Sequence, residues 1–87
     1  VTFPEALAAV LSDQIVTRTA WHGETFIYME KPDKAPVDAD HPLASVYPGK
    51  IVLPYHGYIA IKTHGGVMPW NPSQHDMLAD DWSIVVV

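Results

Sequence analysis

The last six residues, WSIVVV (82–87), are almost wholly apolar, and they limit what this chain can fold into. Their β-branched run reads as a strand. Exposed, such a strand invites edge-to-edge aggregation, so it belongs inside a sheet or at a subunit contact. The rest of the chain must therefore build that sheet. Two β-rich runs, QIVTRTA (14–20) and TFIYME (25–30), are separated by WHG (21–23) and predict a hairpin. IVLP (51–54) is a short strand bounded by Pro54. YIAIKT (58–63) is followed by HGG, a turn able to take φ > 0, and then by VMPW (67–70).

At the other end of the chain, Thr2 with Glu5 makes a capping-box pattern, and Pro4 is tolerated in a first helical turn. Phe3, Ala6, Leu7, Val10 and Leu11 recur at helical spacing and predict one apolar stripe, ending near Ser12–Asp13. Residues 31–50 carry four of the eight prolines and predict a long extended loop without regular structure. The expected class is α+β: one antiparallel β-sheet, a short N-terminal helix, and a short helix before the last strand. Residues 1–87 read as a single domain.

A domain this small buries a modest fraction of its surface, while 48% of its residues are hydrophobic. That combination predicts oligomerisation. The chain has no cysteine, which excludes disulfides, thiolate zinc sites and thiol catalysis. No run approaches the roughly 18 apolar residues of a membrane span, and VTFPEALAAVLSD (1–13) reads as an amphipathic helix rather than a signal peptide. The net charge of −5 argues against a duplex nucleic-acid surface, which needs clustered Lys and Arg. One small anionic ligand needs only a local pocket, and that remains compatible.

PWNPSQHDMLADDW (69–82) is the stretch with the most chemistry. Asn71 is a good N-cap with Pro72 in the first helical position; alternatively Ser73 caps the helix with Asp76 as the capping-box acid. Either register leaves backbone N–H groups near residues 72–75 at a positive dipole end, which can receive phosphate without lysines. Trp70 offers a stacking face, worth roughly 1–3 kcal/mol for a nucleobase. Ser73, Gln74 and His75 add donors and acceptors. The plainer alternative makes Trp70 and Trp82 core residues and the cap only a cap.

Other constellations are weaker. Five histidines (22, 41, 56, 64, 75) suggest a metal, yet no two lie three to five residues apart and no HExxH is present, so no metal site is expected. Asp76 and Asp80 share a helix face but only repel each other, and no nucleophile stands beside a base, so no catalytic residue is assigned. The paired glycines of HGG lack the spacing of a phosphate loop.

The pieces TFPEALAAVL, RTAWHG, FIY and above all YIAIKTHGGVMPWNPSQHDMLADDW together resemble the phage Thoeris anti-defence family, second type. The resemblance covers nearly the whole chain, with only the 31–50 loop unmatched. It implies a sponge that sequesters cyclic ADP-ribose isomers made by TIR-domain proteins, of the glycocyclic type, without cleavage and without a cofactor. It further implies a homotetramer with pockets between subunits, acting in the cytoplasm of the infected bacterial host, and in some members a separate site for cyclic oligonucleotides. By position it marks Trp21, Gly23, Trp70, Ser73, Gln74 and Asp76 as ligand contacts. Phe3 (base stacking) and Arg18 (phosphate) rank second. His22 stands where relatives carry Asn, and His75 where they carry Thr. The alternative from another class is an enzyme that degrades such a signal with His and Asp residues of the same blocks.

Overall fold

Helix α1 (Phe3–Leu11) begins at its predicted cap. The backbone N–H and the hydroxyl of Thr2 both donate to the Glu5 carboxylate, at 3.1 and 2.9 Å. These bonds hold the Glu5 carboxyl below its ordinary pKa, the backbone N–H contributing most. The helix ends in a Schellman motif: Gln14 N–H donates to the Ala9 carbonyl and Asp13 N–H to that of Val10, each at 3.0 Å. Asp13 takes the left-handed conformation, φ 66°, where glycine is usual.

The computed structural model describes residues 1–36, 40, 42–46 and 52–86. Five antiparallel strands form the main sheet, side by side in the order Gly66–Pro69, Tyr58–Thr63, Phe26–Glu30, Ile15–Arg18 and Trp82–Val85. They are β1 (Ile15–Arg18), β2 (Phe26–Glu30), β5 (Tyr58–Thr63), β6 (Gly66–Pro69) and β7 (Trp82–Val85). Short helix α2 (Gln74–Leu78) precedes the last strand, so the class is α+β as the sequence predicts. Among the described residues no helix is long and apolar enough to cross a membrane.

The register fixes the two faces. Val16 opposes Ile27, and Ile27 opposes Ile61, so these side chains share the face that α1 covers. Ala6, Ala9 and Val10 of the helix pack there with Val16, Ile27 and Trp82, all buried. The buried stripe therefore runs through Ala9 instead of ending on Leu11, which is 61% exposed. Two alanines let the helix come close to the sheet, leaving only about 10 Å³ of space between them. The opposite face carries Ile15, Phe26, Tyr28, Lys62 and Val85 around an open concavity of about 340 Å³.

Two sequence expectations change. Strand β7 lies at the edge of the sheet, so of the two places expected for it, inside a sheet or at a subunit contact, the first is not taken: it pairs with β1 on one side. On its other side the Val1 backbone meets Trp82, with N to O distances of 2.7 and 3.2 Å. Apolarity alone does not distinguish an edge strand from a central one. Within the 31–50 loop, residues 33–36 form strand β3 (Asp33–Pro36), paired with β4 (Val52–Tyr55); residues 37–39, 41 and 47–50 of that loop lie outside the described residues. In a two-stranded ribbon every strand is an edge, so Pro36 and Pro54 break little pairing.

The ribbon continues the β2–β5 ladder. Glu30 opposes Tyr58 and Asp33 opposes Tyr55, so the register is kept across the break at Lys31–Pro32 and His56–Gly57. Pro32 has no N–H to donate. Gly57 is required by close approach: a Cβ there would lie 2.9 Å from the Glu30 carbonyl oxygen and 3.0 Å from Pro32 Cδ.

Candidate functional site

On the helix side of the sheet, beside α1, lies an open groove of about 420 Å³. Trp21 and Trp70 line it, with the Asp76 carboxylate, Thr25 and Asn71 as its polar groups. Ile61, Met68 and Pro69 of β5 and β6 complete the lining.

Each tryptophan is placed by a different element. Trp70 follows β6, where its N–H donates to the Ile59 carbonyl at 2.9 Å and fixes the strand exit. Trp21 ends a 3₁₀ turn (Thr19–Trp21), after which His22 and Gly23 take left-handed conformations, φ 53° and 90°. His is among the residues enriched in that conformation, so His22 fits the turn. Trp82 stands behind both: its ring meets Trp21 edge-on at 5.2 Å and Trp70 at 5.8 Å. Its indole N–H donates to the Asp76 carbonyl at 3.0 Å, joining β7 to α2.

Helix α2 uses Ser73 as its cap. Asp76 N–H donates to the Ser73 hydroxyl (3.1 Å) and Ser73 N–H to the Asp76 carboxylate (3.0 Å). The Asn71 register is not adopted. Five residues sum to a small dipole, and a carboxylate already occupies the first turn, so this end is a poor seat for phosphate. The other Asp76 oxygen accepts Arg18 NH1 at 3.0 Å, while Arg18 Nε donates to Asp81 at 2.8 Å. The three side chains are 15%, 14% and 29% exposed, so water screens them only partly. The hydrogen bond to Arg18 lowers the Asp81 pKa most, and that to Asp81 raises the Arg18 pKa most. The guanidinium also lies 5.9 Å from the Trp21 and Trp82 ring centroids.

Of the residues singled out from sequence, Trp21, Trp70 and Asp76 meet on this groove. Arg18 sits behind it with two carboxylates, and Phe3 is on the core side, 6.1 Å from Trp70 and 6.0 Å from Trp82. Ser73 and Gln74 are exposed on α2. Gly23 lines a neighbouring groove with Glu24, Phe26, Lys62 and His64, where the His64 imidazole contacts the Glu24 carboxylate. Asp81 was not singled out by sequence reasoning. The available signal was Arg18: a lone charge in an otherwise uncharged strand needs a counter-charge.

Fold and site together define a small α+β domain presenting flat aromatic surface and hydrogen-bonding groups in one groove. Among the described residues no three His, Asp or Glu side chains group so as to hold a metal ion. The chain belongs to the Thoeris anti-defense 2-like domain family, whose family model matches residues 1–85. Among curated proteins none matches it.

Proposed function

We propose that this protein is a phage sponge that sequesters cyclic ADP-ribose isomers of the glycocyclic type, made by TIR-domain proteins, without cleaving them. It does so in the cytoplasm of the infected bacterial host. The observation that carries this reading is the meeting of Trp21, Trp70 and Asp76 on one groove in a chain of an anti-defense family. Indole faces suit a flat base, and a carboxylate accepts hydrogen bonds from ribose hydroxyls or an exocyclic amine. Ser73 and Gln74, exposed on α2, and Gly23, in the turn after Trp21, are proposed as further contacts from outside the groove's lining. Arg18 and Phe3 support its walls from behind.

A sponge works by affinity alone, so its pocket must enclose the ligand and be pre-organised. One protomer leaves the groove open. A second copy beside it closes the pocket, and a different contact through the opposite face, at Ile15, Phe26, Tyr28 and Val85, covers that apolar surface. Two distinct self-complementary contacts are what a tetramer of dihedral symmetry needs.

Calorimetric titration with cyclic ADP-ribose isomers and a panel of cyclic di- and trinucleotides tests the proposal. Each mixture is then heat-denatured and its nucleotide analysed. Tight binding with intact release supports the sponge. Recovery of a degraded nucleotide supports the enzyme alternative, and no heat with any of them overturns both.

A further inference from the structure

Trp21 is held by a residue outside the groove. The short turn that carries it hangs on Asp81: Thr19 N–H and the Thr19 hydroxyl donate to the Asp81 carbonyl at 3.1 and 3.3 Å. Ala20 N–H donates to one Asp81 carboxylate oxygen at 3.1 Å, and Arg18 Nε to the other at 2.8 Å. Three consecutive residues before Trp21 are thereby tied to one side chain and its backbone. Immediately after Trp21 the chain reverses through two left-handed residues, so the restraint comes from the Asp81 side. Arg18 extends it, because its second nitrogen holds Asp76 on the groove itself.

We infer that Asp81 is a positioning residue for the groove, acting through Trp21 to set one aromatic wall and through Arg18 to set the Asp76 carboxylate. The consequence for a ligand rests on the sponge reading above; the placement of Trp21 does not. It also gives Arg18 a role other than phosphate contact. Two of its nitrogens are engaged by carboxylates, and the three groups together carry one net negative charge.

The test uses the full chain with Asp81→Asn, which keeps the shape and an acceptor for Ala20 but removes the charge. Near-UV circular dichroism and tryptophan fluorescence of the ligand-free protein are compared with the wild type. The comparison is repeated in a Trp21→Phe background. The expected result is a changed Trp21–Trp82 signal that disappears when Trp21 is already phenylalanine. Affinity for the tightest-binding cyclic ADP-ribose isomer is expected to fall about tenfold, the equivalent of one weakened charge-assisted hydrogen bond. An unchanged spectrum overturns the inference, as does a spectral change that persists without Trp21. Lost affinity with an unchanged spectrum overturns it too, since Asp81 would then act on the ligand directly. Should Asp81→Asn fail to fold, Arg18→Lys serves, because one ammonium cannot span both carboxylates in the guanidinium geometry; the same spectral criteria decide. A wild type that binds no isomer defeats the sponge reading, while the ligand-free spectra still decide the role of Asp81.

Discussion

Truncating Trp70 to alanine tests the groove and the core at once, because its ring serves both. The indole is half-buried, lines the groove, and contacts Phe3 and Trp82 on its inner side. Losing half of a tryptophan's burial costs about 3 kcal/mol at the usual area coefficient, and less once residual contacts in the unfolded chain are counted. The two ring pairs add about 1 kcal/mol each. The discounted burial and the two pairs come to about 4 kcal/mol, at the lower end of the roughly 4–13 kcal/mol expected for a domain of this length. Trp70→Ala is therefore studied at 15 °C, near the temperature of maximum stability, with Tm lowered by roughly 16–32 °C. The loss of a stacking partner, about 1–3 kcal/mol, weakens binding roughly 5- to 150-fold. Calorimetry at 15 °C, with circular dichroism confirming the fold, measures both effects. A folded variant that binds as the wild type does would refute the groove. Trp21→Ala provides the contrast: its ring meets Trp82 by one edge-on contact, so affinity should fall with a smaller loss of Tm.

Other substitutions test the backbone. Asp13→Gly relieves a left-handed residue and should stabilise by about 1 kcal/mol in urea melts, the Lys31 ion pair there being too exposed to offset it. Gly57→Ala drives a Cβ against the Glu30 carbonyl and should cost about 1–3 kcal/mol in the same assay. Glu5 and Asp81 both have pKa values lowered in the fold, so their stabilisation is fully present above the unfolded carboxylate range, about pH 4. It is lost as pH falls through the lower folded values. Tm should thus be level from neutral pH to about 5 and fall below about 4, less steeply in Asp81→Asn. If the pocket is shared between copies, affinity should decline on dilution together with the assembly, followed by light scattering and titration in parallel. A monomer with full affinity would contradict a shared pocket.

What the sequence made legible follows from distance along the chain. Helix α1 is local: its cap pairs residues three apart, and its stripe lies within nine residues. Hairpin turns such as HGG are equally local, and β5–β6 closes there as expected. Strand β3 was hidden because Pro36 reads as a breaker, yet the strand borrows its register from β2 and β5, whose pairing it continues. The edge position of β7 depends on which strands remain to pair, and no property of WSIVVV states it. The site divides the same way. Aromatic and capping signals marked Trp70 and Ser73, and the family resemblance marked Trp21, but the partners of Arg18 lie 58 and 63 residues away. Only the pairing of β1 with β7, which sets Arg18 opposite Trp82, brings Asp81 to it.

That ion cluster bears on how an acidic protein could hold an anionic signal. None of the described residues lining the groove is cationic, and Asp76 contributes a negative charge to it. The guanidinium behind the groove is already matched by two carboxylates, so drawing it to a phosphate would leave both partly uncompensated in a half-buried site. The groove of one protomer is thus suited to the base and ribose of a nucleotide and unsuited to its phosphates. If the sponge reading holds, phosphate neutralisation must come from outside this groove. On the sponge reading, a pocket assembled between copies would separate two requirements that conflict within one chain: a rigid aromatic slot held by part-buried ion pairs, and positive charge left free for the ligand.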